Sequence, residues 1–312
     1  MAETVVAIVV TYNRKELLQQ CLHALNSQTR PLDSIIVVDN ASNDGTVSFL
    51  SKQPIEGALR IQHLRLEQNL GGAGGFHAGI SHASAENFGW LWLMDDDAEP
   101  TCDALEKLLA SPDTNQLGIG VCRVSNADGT LQERVLTSVF DNDRLFRGVT
   151  HSDTRDLTTV FSYPLLGVLV SKKCVQRVGN VRCDFFIQAD DLEWTLRLSD
   201  PNGIAYVRDA VLVHHDQVAF RECRRMGRPV RYLTRKDLWK DYYGLRNWVL
   251  TARGIGLRGW RLYATKRYLQ AMWQRLMVLE DFPLAAWLYS KAFFDGLTGR
   301  SGKRIKPGHG TR

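Results

Sequence analysis

Three consecutive aspartates, Asp95-Asp96-Asp97, are the residues of this sequence best suited to binding a divalent cation. Adjacent carboxylates repel one another, and a bound cation removes that repulsion. In an extended segment the side chains of Asp95 and Asp97 project to the same side, so both can reach one ion, and carboxylate oxygens suit Mg²⁺ or Mn²⁺. The alternative is a solvated acidic turn that caps the helix after Pro100. We favour the metal site because residues 90–94, which precede the triplet, are too apolar for a surface loop.

A glycine-rich segment follows Asn69 and precedes the acidic triplet by the length of one strand–helix unit. Gly71 and Gly72 lack side chains, so the backbone can approach a phosphate or a sugar closely, and the start of the following helix favours negative charge. Glycine clusters are also common in turns, so the segment alone is a weak signal. Its position before the triplet makes it a candidate for binding a phosphorylated ligand.

Two further clusters carry side chains that can exchange protons or bind metals. Asp190 and Asp191 stand on the first turn of a predicted helix, where the pair could be a helix cap or could supply a general base. His214 and His215 end a predicted strand, and adjacent strand residues face opposite ways, so only one imidazole can serve a given site. A lone histidine is more often structural, and a metal role requires the acidic triplet to lie nearby.

The elements that must position these residues alternate between strands and helices. β-Branched apolar runs predict strands at 5–10, 34–38, 61–66 and 90–94, with helices between them, and later strands at 118–124, 161–170 and 211–215. This order predicts an α/β fold with a mostly parallel sheet and helices on both faces, in which ligands bind at the carboxyl ends of the strands. A helix is predicted at 190–198, further helices at 232–250, 257–279 and 284–297, and a frayed end at 299–312.

Charge divides the chain into two parts. Residues 221–312 contain 21 Lys/Arg and 6 Asp/Glu, whereas residues 1–220 contain 18 and 28. We therefore expect a catalytic domain at 1–220 and a basic helical region at 221–312. Arginines flank the tryptophans of that region, and its amphipathic stretch 260–294 fits a helix on an anionic membrane surface. Packing against the rest of the protein, with the basic residues in water, is the alternative, and the two can coexist.

Six scattered cysteines form no zinc-like spacing and are expected to be reduced thiols of a cytosolic protein. The N-terminus lacks the features of a signal peptide, and no run of 18 apolar residues predicts a membrane-spanning helix. We therefore expect a protein that acts on the cytoplasmic side, peripherally on the inner face of the cell membrane.

Several motifs together resemble family 2 glycosyltransferases of the GT-A fold. The segments 9–14 (VVTYNR) and 37–42 (VVDNAS) and the Asp95-x-Asp97 element are similar to the nucleotide-sugar half of that family. The segments 69–76 (NLGGAGGF), 94–97 (MDDD), 186–191 (FIQADD) and 241–247 (DYYGLRN) resemble bacterial galactofuranosyltransferases that build surface polysaccharides. The resemblance spans residues 5 to about 300, and it implies transfer of galactofuranose from UDP-galactofuranose to a saccharide acceptor, expected to be lipid-linked.

The resemblance also implies a role for each candidate residue. Asp191 would be the catalytic base of an inverting displacement, with Asp190 and Trp194 near the acceptor. Asp95, Asp97 and His215 would hold Mn²⁺ or Mg²⁺, His215 rather than His214 because of its spacing from the base. Asp39 would contact the uracil. The other donor-binding residues would be Thr11, Asn13, Arg14, Asn69, Gly71, Gly72, Asp95 and Asp96.

Three other functions are weighed. A rhamnosyltransferase or other hexosyltransferase with a dTDP- or UDP-sugar donor would resemble this chain in its first strands but usually lacks the glycine run followed by three aspartates. A nucleic-acid-binding protein could use the basic aromatic tail, yet no recognition motif is present and the acidic triplet stays unexplained, so no nucleic acid partner is expected. A sugar-nucleotide-binding protein without catalysis would have no need of Asp191.

Overall fold

The computed structural model describes residues 4–52, 60–86, 88–130, 132, 136–140, 146–149, 159–199, 202–215, 220–225 and 227–308. The chain forms two compact units. The first comprises Met1–Cys183 and Asp191–Asp216, and the second comprises Asp184–Asp190 and Gln217–Arg312. The sequence indicated a boundary near residue 220, but it gave no sign that Asp184–Asp190 groups with the C-terminal residues.

A central sheet organises the first unit. Its strands, among the described residues, are β1 (Val5–Thr11), β2 (Ser34–Asp39), β3 (Arg60–Arg65), β4 (Trp90–Asp95), β5 (Ala98–Pro100), β6 (Ile119–Ser125), β9 (Thr159–Val160), β10 (Val168–Ser171) and β11 (Ile204–His214). The order is β3-β2-β1-β4-β10-β6-β11-β5, and β9 pairs with β11. A separate two-stranded sheet pairs β7 (Leu136–Phe140) with β8 (Phe146–Val149).

The strands β3, β2, β1 and β4 are parallel neighbours, as expected for strands joined through helices. The connecting helices are α1 (Lys15–Asn26), α2 (Thr46–Lys52) and α3 (Gly71–Ser84). Beyond β4 the strand β10 is antiparallel to both of its neighbours, whereas β6 and β11 are parallel to each other. The predicted α/β fold with a mostly parallel central sheet is confirmed.

Glycines let α3 lie close to the sheet. A Cβ atom at Gly79 would lie 2.6 Å from Ile8 Cγ2, and one at Gly75 would lie 2.5 Å from Val10 Cγ1. Real side chains do not tolerate such distances, so these positions need glycine for close packing of helix on strand. Part of the glycine run therefore serves the core rather than a ligand.

Four further helices lie in the described part of the first unit: α4 (Ala104–Ala110), α5 (Pro112–Leu117), α6 (Lys172–Val178) and α7 (Asp190–Ser199). Of these, α7 has its first residue, Asp190, in the second unit. The serine before α5 and the serine before α6 cap these helices with their hydroxyl oxygens. The strand predicted at 161–170 is wrong in length, because β10 begins only at Val168. Pro164 lacks an N–H group for a ladder, and Gly167 takes a left-handed φ of 72°.

The second unit contains a hairpin and three long helices. The hairpin pairs β12 (Phe220–Arg225) with β13 (Arg228–Leu233), and the helices are α8 (Leu238–Gly254), α9 (Trp260–Val278) and α10 (Phe282–Thr298). The prediction of a helix from residue 232 is wrong, because Leu233 still belongs to the hairpin. No helix in the described ranges is long and apolar enough to cross a membrane.

The C-terminal segment is also held in place at Ile305. Ile305 is 5% exposed, and Tyr243 Oη donates a hydrogen bond to its carbonyl oxygen over 2.7 Å. The prediction that residues 299–312 form a frayed end is therefore wrong for 299–305, since the buried side chain of Ile305 anchors this segment to α8. Residues 309–312 lie outside the described part.

Candidate functional site

Candidate residues meet where three parallel strands end. Thr11 ends β1 beside Asp39, which ends β2, and Asp95, which ends β4, pairs with Val10. The strands run parallel because helices cross between them, so their carboxyl ends share one edge of the sheet. In open α/β sheets this edge is where ligands bind. The strand register thus places these three residues at the carboxyl edge of the sheet, as the predicted strands indicated.

Arg14 joins two of the three aspartates. Its Nη1 atom lies 2.7 Å from Asp97 Oδ2 and 3.2 Å from Asp96 Oδ1, and Thr11 Oγ1 donates to Asp96 Oδ2 over 2.7 Å. Burial lowers the pKa of Arg14, but the charges of Asp96, Asp97 and Asp95 outweigh it and raise that pKa above its ordinary value. Burial raises the pKa of Asp96 to about 6, although Arg14 and Thr11 oppose the shift. The edge therefore concentrates negative charge around one guanidinium.

A histidine also contacts Asp97, and it is His214. Its Nε2 atom lies 3.2 Å from Asp97 Oδ1, and its Nδ1 atom lies 3.1 Å from Gln132 Oε1. Burial opposes the shift, yet His214 and Arg14 together hold the pKa of Asp97 below its usual range. The ring of His215 turns instead to Glu99, 2.9 Å away, while its backbone N–H donates to the Asp97 carbonyl oxygen. The metal role assigned to His215 stays a prediction, and the structure places His214 closer to the carboxylate.

The residues at this edge suit a divalent cation in type and in charge. Three carboxylates and an imidazole are the ligands that Mn²⁺ accepts, and one guanidinium does not neutralise three aspartates. Within the described ranges, however, no group of three His, Cys, Asp or Glu side chains converges closely enough to hold an ion. The Asp97 carboxylate contacts Arg14 through Oδ2 and His214 through Oδ1.

Asp39 presents a buried acceptor. The residue is 0% exposed, its Oδ1 accepts a hydrogen bond from Ser42 N over 2.8 Å, and its buried Oδ2 accepts no hydrogen bond from any residue that the structure describes. The nearest nitrogen with a possible charge, His63 Nε2, lies 3.4 Å from that oxygen. A buried carboxylate oxygen without a donor is costly, so this position suits the N–H group of a ligand.

Asn13 ties the loops after β1 and β2 together. Its backbone N–H donates to Ser42 Oγ over 3.0 Å, and its Oδ1 accepts from Asn43 N over 2.7 Å. Asn13 takes a left-handed φ of 53°, which asparagine tolerates better than most residues. The residue therefore shapes the rim beside Asp39 through its backbone as well as its side chain.

The start of α3 is organised by two asparagines. Asn69 Oδ1 accepts from Gly71 N over 2.7 Å, while Asn40 accepts from Leu70 N and donates to the Gly71 carbonyl oxygen. Gly72 is different from Gly74 and Gly75, because a Cβ atom there would meet no atom of the described residues within 4 Å. Sequence reasoning gave Asn40 no role; its position directly after Asp39 was the available signal. Gly72 is the glycine whose missing side chain leaves open space.

The predicted base and acceptor residues stand at the start of α7. Asp191 is half-buried, and its Oδ1 accepts a hydrogen bond from Leu192 N over 2.7 Å. Asp190 is 8% exposed and is the last residue of Asp184–Asp190, the segment that groups with the second unit. Trp194 is fully buried, and its Nε1 donates to the Gly179 carbonyl oxygen. A buried ring cannot stack on a sugar, so Trp194 is not carried into the proposed acceptor site.

Comparison with known proteins identifies glycosyltransferases as relatives of this chain. A family model described as "Glycosyl transferase family 2" matches residues 6–165. Galactofuranosyltransferase GlfT1 of Mycolicibacterium smegmatis is 34% identical over 207 residues, which cover 63% of this chain and 65% of the relative. The aligned part thus spans slightly less than two thirds of that relative. GlfT1 of Mycobacterium tuberculosis H37Rv is 31% identical over 301 residues, which cover 88% of this chain and 93% of the relative.

Solved structures show the same fold. The mannosyltransferase PcManGT from Pyrobaculum calidifontis, in complex with GDP-Man and Mn²⁺, matches with a TM-score of 0.56 at 16% identity. The match covers 96% of this chain and 87% of that protein. At this identity the likeness concerns the fold alone.

Proposed function

Because this chain belongs to glycosyl transferase family 2 and is a glycosyltransferase, we propose that it transfers galactofuranose from UDP-galactofuranose to a saccharide acceptor. The observation that carries the proposal is the buried, unbonded Oδ2 atom of Asp39 on the same strand edge as the acidic triplet. The choice of sugar rests on the two relatives that are named galactofuranosyltransferases.

The proposed donor site follows the strand edge. The N3–H group of uracil donates to Asp39 Oδ2 and gives this buried acceptor a hydrogen bond, which His63, 3.4 Å away, does not supply. The diphosphate lies against the start of α3, where Gly72 leaves room and the helix N-terminus favours negative charge. Thr11 and Arg14 contribute to this site indirectly, because they orient carboxylates. Thr11 donates a hydrogen bond to Asp96, and Arg14 forms an ion pair with Asp97.

A divalent cation, Mn²⁺ or Mg²⁺, completes the proposed donor site. Asp95 and Asp97 would hold it, together with one histidine of the His214-His215 pair. When bound, the cation supplies positive charge against the diphosphate that leaves the sugar. Support comes from the net negative charge of this edge and from the Mn²⁺ in the mannosyltransferase of the same fold.

Asp191 performs the proton transfer in this proposal. The acceptor hydroxyl oxygen forms a bond to the anomeric carbon while the bond from that carbon to the diphosphate oxygen breaks. The bonding electron pair leaves with UDP, and the hydroxyl proton passes to the Asp191 carboxylate. Attack from the face opposite the leaving group inverts the anomeric configuration, and no covalent enzyme intermediate forms.

The test of this function compares donors. Purified protein with Mn²⁺ is assayed against UDP-galactofuranose, UDP-galactopyranose, UDP-N-acetylglucosamine and dTDP-rhamnose, with UDP or dTDP release and product formation as readouts. We expect UDP-galactofuranose to be used best and Asp191→Asn to lose transfer while it keeps donor binding. Thymine presents the same N3–H group as uracil, so transfer from dTDP-rhamnose instead would replace the proposed donor. No transfer from any sugar nucleotide would refute the function.

We also propose that α9 rests on an anionic membrane that carries the acceptor. Leu262, Leu269 and Trp273 are 77%, 58% and 58% exposed at helical spacing on one face, and Lys266 lies between them. An exposed apolar stripe with basic neighbours fits the surface of an anionic bilayer, where each basic residue contributes about 1 kcal/mol.

Vesicle flotation separates the two components of this contact. The double variant Leu269→Gln/Trp273→Gln should lose binding to anionic vesicles, while Lys266→Gln should weaken it mainly at low salt. Purely zwitterionic vesicles are the control and should bind the unaltered protein weakly. Equal flotation of all three proteins on anionic vesicles would exclude α9 as the docking surface.

A further inference from the structure

The segment Asp184–Asp190, in the second unit, has an unusual backbone. Phe186, Gln188 and Ala189 take φ values of 67°, 68° and 59°, although none of them is glycine. Left-handed backbone crowds the Cβ atom of an L-residue, and non-glycine residues keep it only where the surroundings impose it. Such backbone clusters at functional sites, and this segment ends at Asp190, covalently joined to the proposed base Asp191.

Two adjacent residues of α8 impose this backbone. Asn247 Nδ2 lies 3.1 Å from the carbonyl oxygen of Phe185, 3.0 Å from that of Ile187 and 2.6 Å from that of Gln188. Asn247 is 0% exposed. The Nδ2 group of Asn247 is therefore within hydrogen-bond distance of three carbonyl oxygens of the strained segment.

Arg246 fixes the orientation of that amide. Its Nε atom donates to Asn247 Oδ1 over 2.9 Å, so the amide oxygen is engaged and the Nδ2 group is directed at the segment. Its Nη2 atom donates to the Phe185 carbonyl oxygen over 2.9 Å, and its Nη1 atom donates to that of Gly302 over 2.6 Å. Arg246 is likewise 0% exposed.

Aromatic rings enclose the pair. The Arg246 guanidinium lies 4.9 Å from the centre of the Tyr243 ring, and the Phe186 ring lies 5.0 Å from the same ring. In this water-poor setting each hydrogen bond to a carbonyl oxygen is strong, and losing its donor leaves a buried acceptor unpaired. We call Arg246 and Asn247 the clamp.

We propose that the clamp positions the acceptor side of the reaction: Arg246 and Asn247 hold residues 185–189 in their left-handed path and so fix the backbone of Asp190, the proposed acceptor residue that is bonded to the base. This inference rests on the proposed function, because it takes Asp191 as the base. Neither clamp residue is among the proposed donor-binding or acceptor-binding residues. The clamp residues are positioning residues, and the donor site on the sheet of the first unit does not depend on them.

The experiment uses the full chain and Asn247→Ala, with Thr251→Ala as control. Thr251 is a fully buried residue of the same helix, one turn further on, and within the described part of the chain its Oγ1 makes no hydrogen bond. We expect Asn247→Ala to lower kcat for galactofuranosyl transfer about 100-fold, the loss typical of a reacting group displaced by about 1 Å. The Kd for UDP should stay unchanged, and Thr251→Ala should keep wild-type kcat.

A glycine rescue distinguishes positioning from general support. Ala189→Gly removes the Cβ that makes this left-handed residue costly, so in the Asn247→Ala background it should recover about tenfold in kcat. If the clamp only supported the fold, Ala189→Gly would change kcat by the same factor in the wild type and in Asn247→Ala. Wild-type kcat in Asn247→Ala, or a loss that Ala189→Gly deepens, would overturn the proposal.

Hydrogen exchange tests the clamp without any substrate. Asn247→Ala should raise the exchange rates of the amides of 185–190 more than those of α8, and Thr251→Ala should not. Unchanged exchange at 185–190 would overturn the clamp even if transfer activity is found. Conversely, faster exchange there in a protein that transfers no sugar would leave the clamp in place and refute the proposed function.

Discussion

The glycine run at the start of α3 provides a matched pair of substitutions with opposite expected effects. Gly75 and Gly72 lie one helical turn apart, in the same helix. A methyl group at Gly75 would lie 2.5 Å from Val10 Cγ1 and 2.9 Å from Asn40 Nδ2, whereas one at Gly72 would meet no described atom within 4 Å. Gly75→Ala should therefore disturb packing, and Gly72→Ala should disturb only what binds in the open space.

The magnitudes follow from two opposing terms. Forcing a methyl group into a close-packed site costs about 1–3 kcal/mol, and replacing glycine by alanine within a helix returns about 1 kcal/mol. The net expectation for Gly75→Ala is a loss of about 1–2 kcal/mol in the free energy of unfolding, because Val10 belongs to a central strand and cannot move freely. Gly72→Ala should be neutral or slightly stabilising, with the full gain reduced near the helix start.

Urea unfolding and calorimetric titration with UDP and Mn²⁺ measure the two effects separately. Gly75→Ala should unfold at lower urea concentration with an unchanged m-value. Gly72→Ala should keep its midpoint but bind UDP at least tenfold more weakly, since a methyl group would occupy the place of the diphosphate. Stability of Gly75→Ala equal to that of the wild type would refute the packing analysis, and unaltered UDP affinity of Gly72→Ala would move the diphosphate away from α3.

Three further outcomes are expected. Arg14→Gln should lower the free energy of unfolding, measured in urea, by about 1–3 kcal/mol. This is less than the loss of about 3–5 kcal/mol typical of a broken buried ion pair, because Arg14 is partly exposed while Asp96 and Asp97 are buried. An unchanged midpoint of urea unfolding would contradict this prediction. Mn²⁺ should strengthen UDP binding in calorimetry, and Asp97→Asn should abolish that increment; equal increments in both proteins would exclude Asp97 as a ligand. Burial, opposed by a hydrogen bond from Tyr289, raises the pKa of Asp241 to about 6, above its unfolded value of about 3.9. The contribution of the Asp241 carboxyl to the free energy of unfolding is therefore fully present below pH ~4 and is lost as the pH rises through ~6. The loss is about 2 kcal/mol after allowance for the partial exposure of the side chain. In urea unfolding, the free energy of Asp241→Asn should not show this dependence on pH.

Local patterns were sufficient for the strands that carry the site. The apolar runs before Thr11, Asp39 and Asp95 are signals contained in a few residues, and parallel pairing follows from the helices between them. The carboxyl edge of the sheet was therefore predictable. The same holds for α7, whose start at Asp190 was expected from the paired carboxylates.

Features that depend on distant residues were not predictable. The choice between His214 and His215 depends on the pairing of β11 with β5, in which His214 faces Ala98, and this pairing joins residues more than a hundred positions apart. The glycines of α3 looked like a phosphate loop, but Gly75 and Gly79 are set by strand side chains that only the folded sheet supplies. The sequence pattern also missed the hairpin before α8, since its charged strands carry no clear apolar alternation.

The grouping of Asp184–Asp190 with the C-terminal helices has a practical consequence for anyone who divides this protein. A chain cut after residue 220 keeps the whole sheet and every proposed donor contact, yet it loses α8 and with it Arg246 and Asn247. Such a fragment should still capture UDP while its three left-handed residues relax toward ordinary backbone. A chimera that borrows acceptor preference from a relative must therefore exchange 184–190 and α8 together, because each half is shaped to the other.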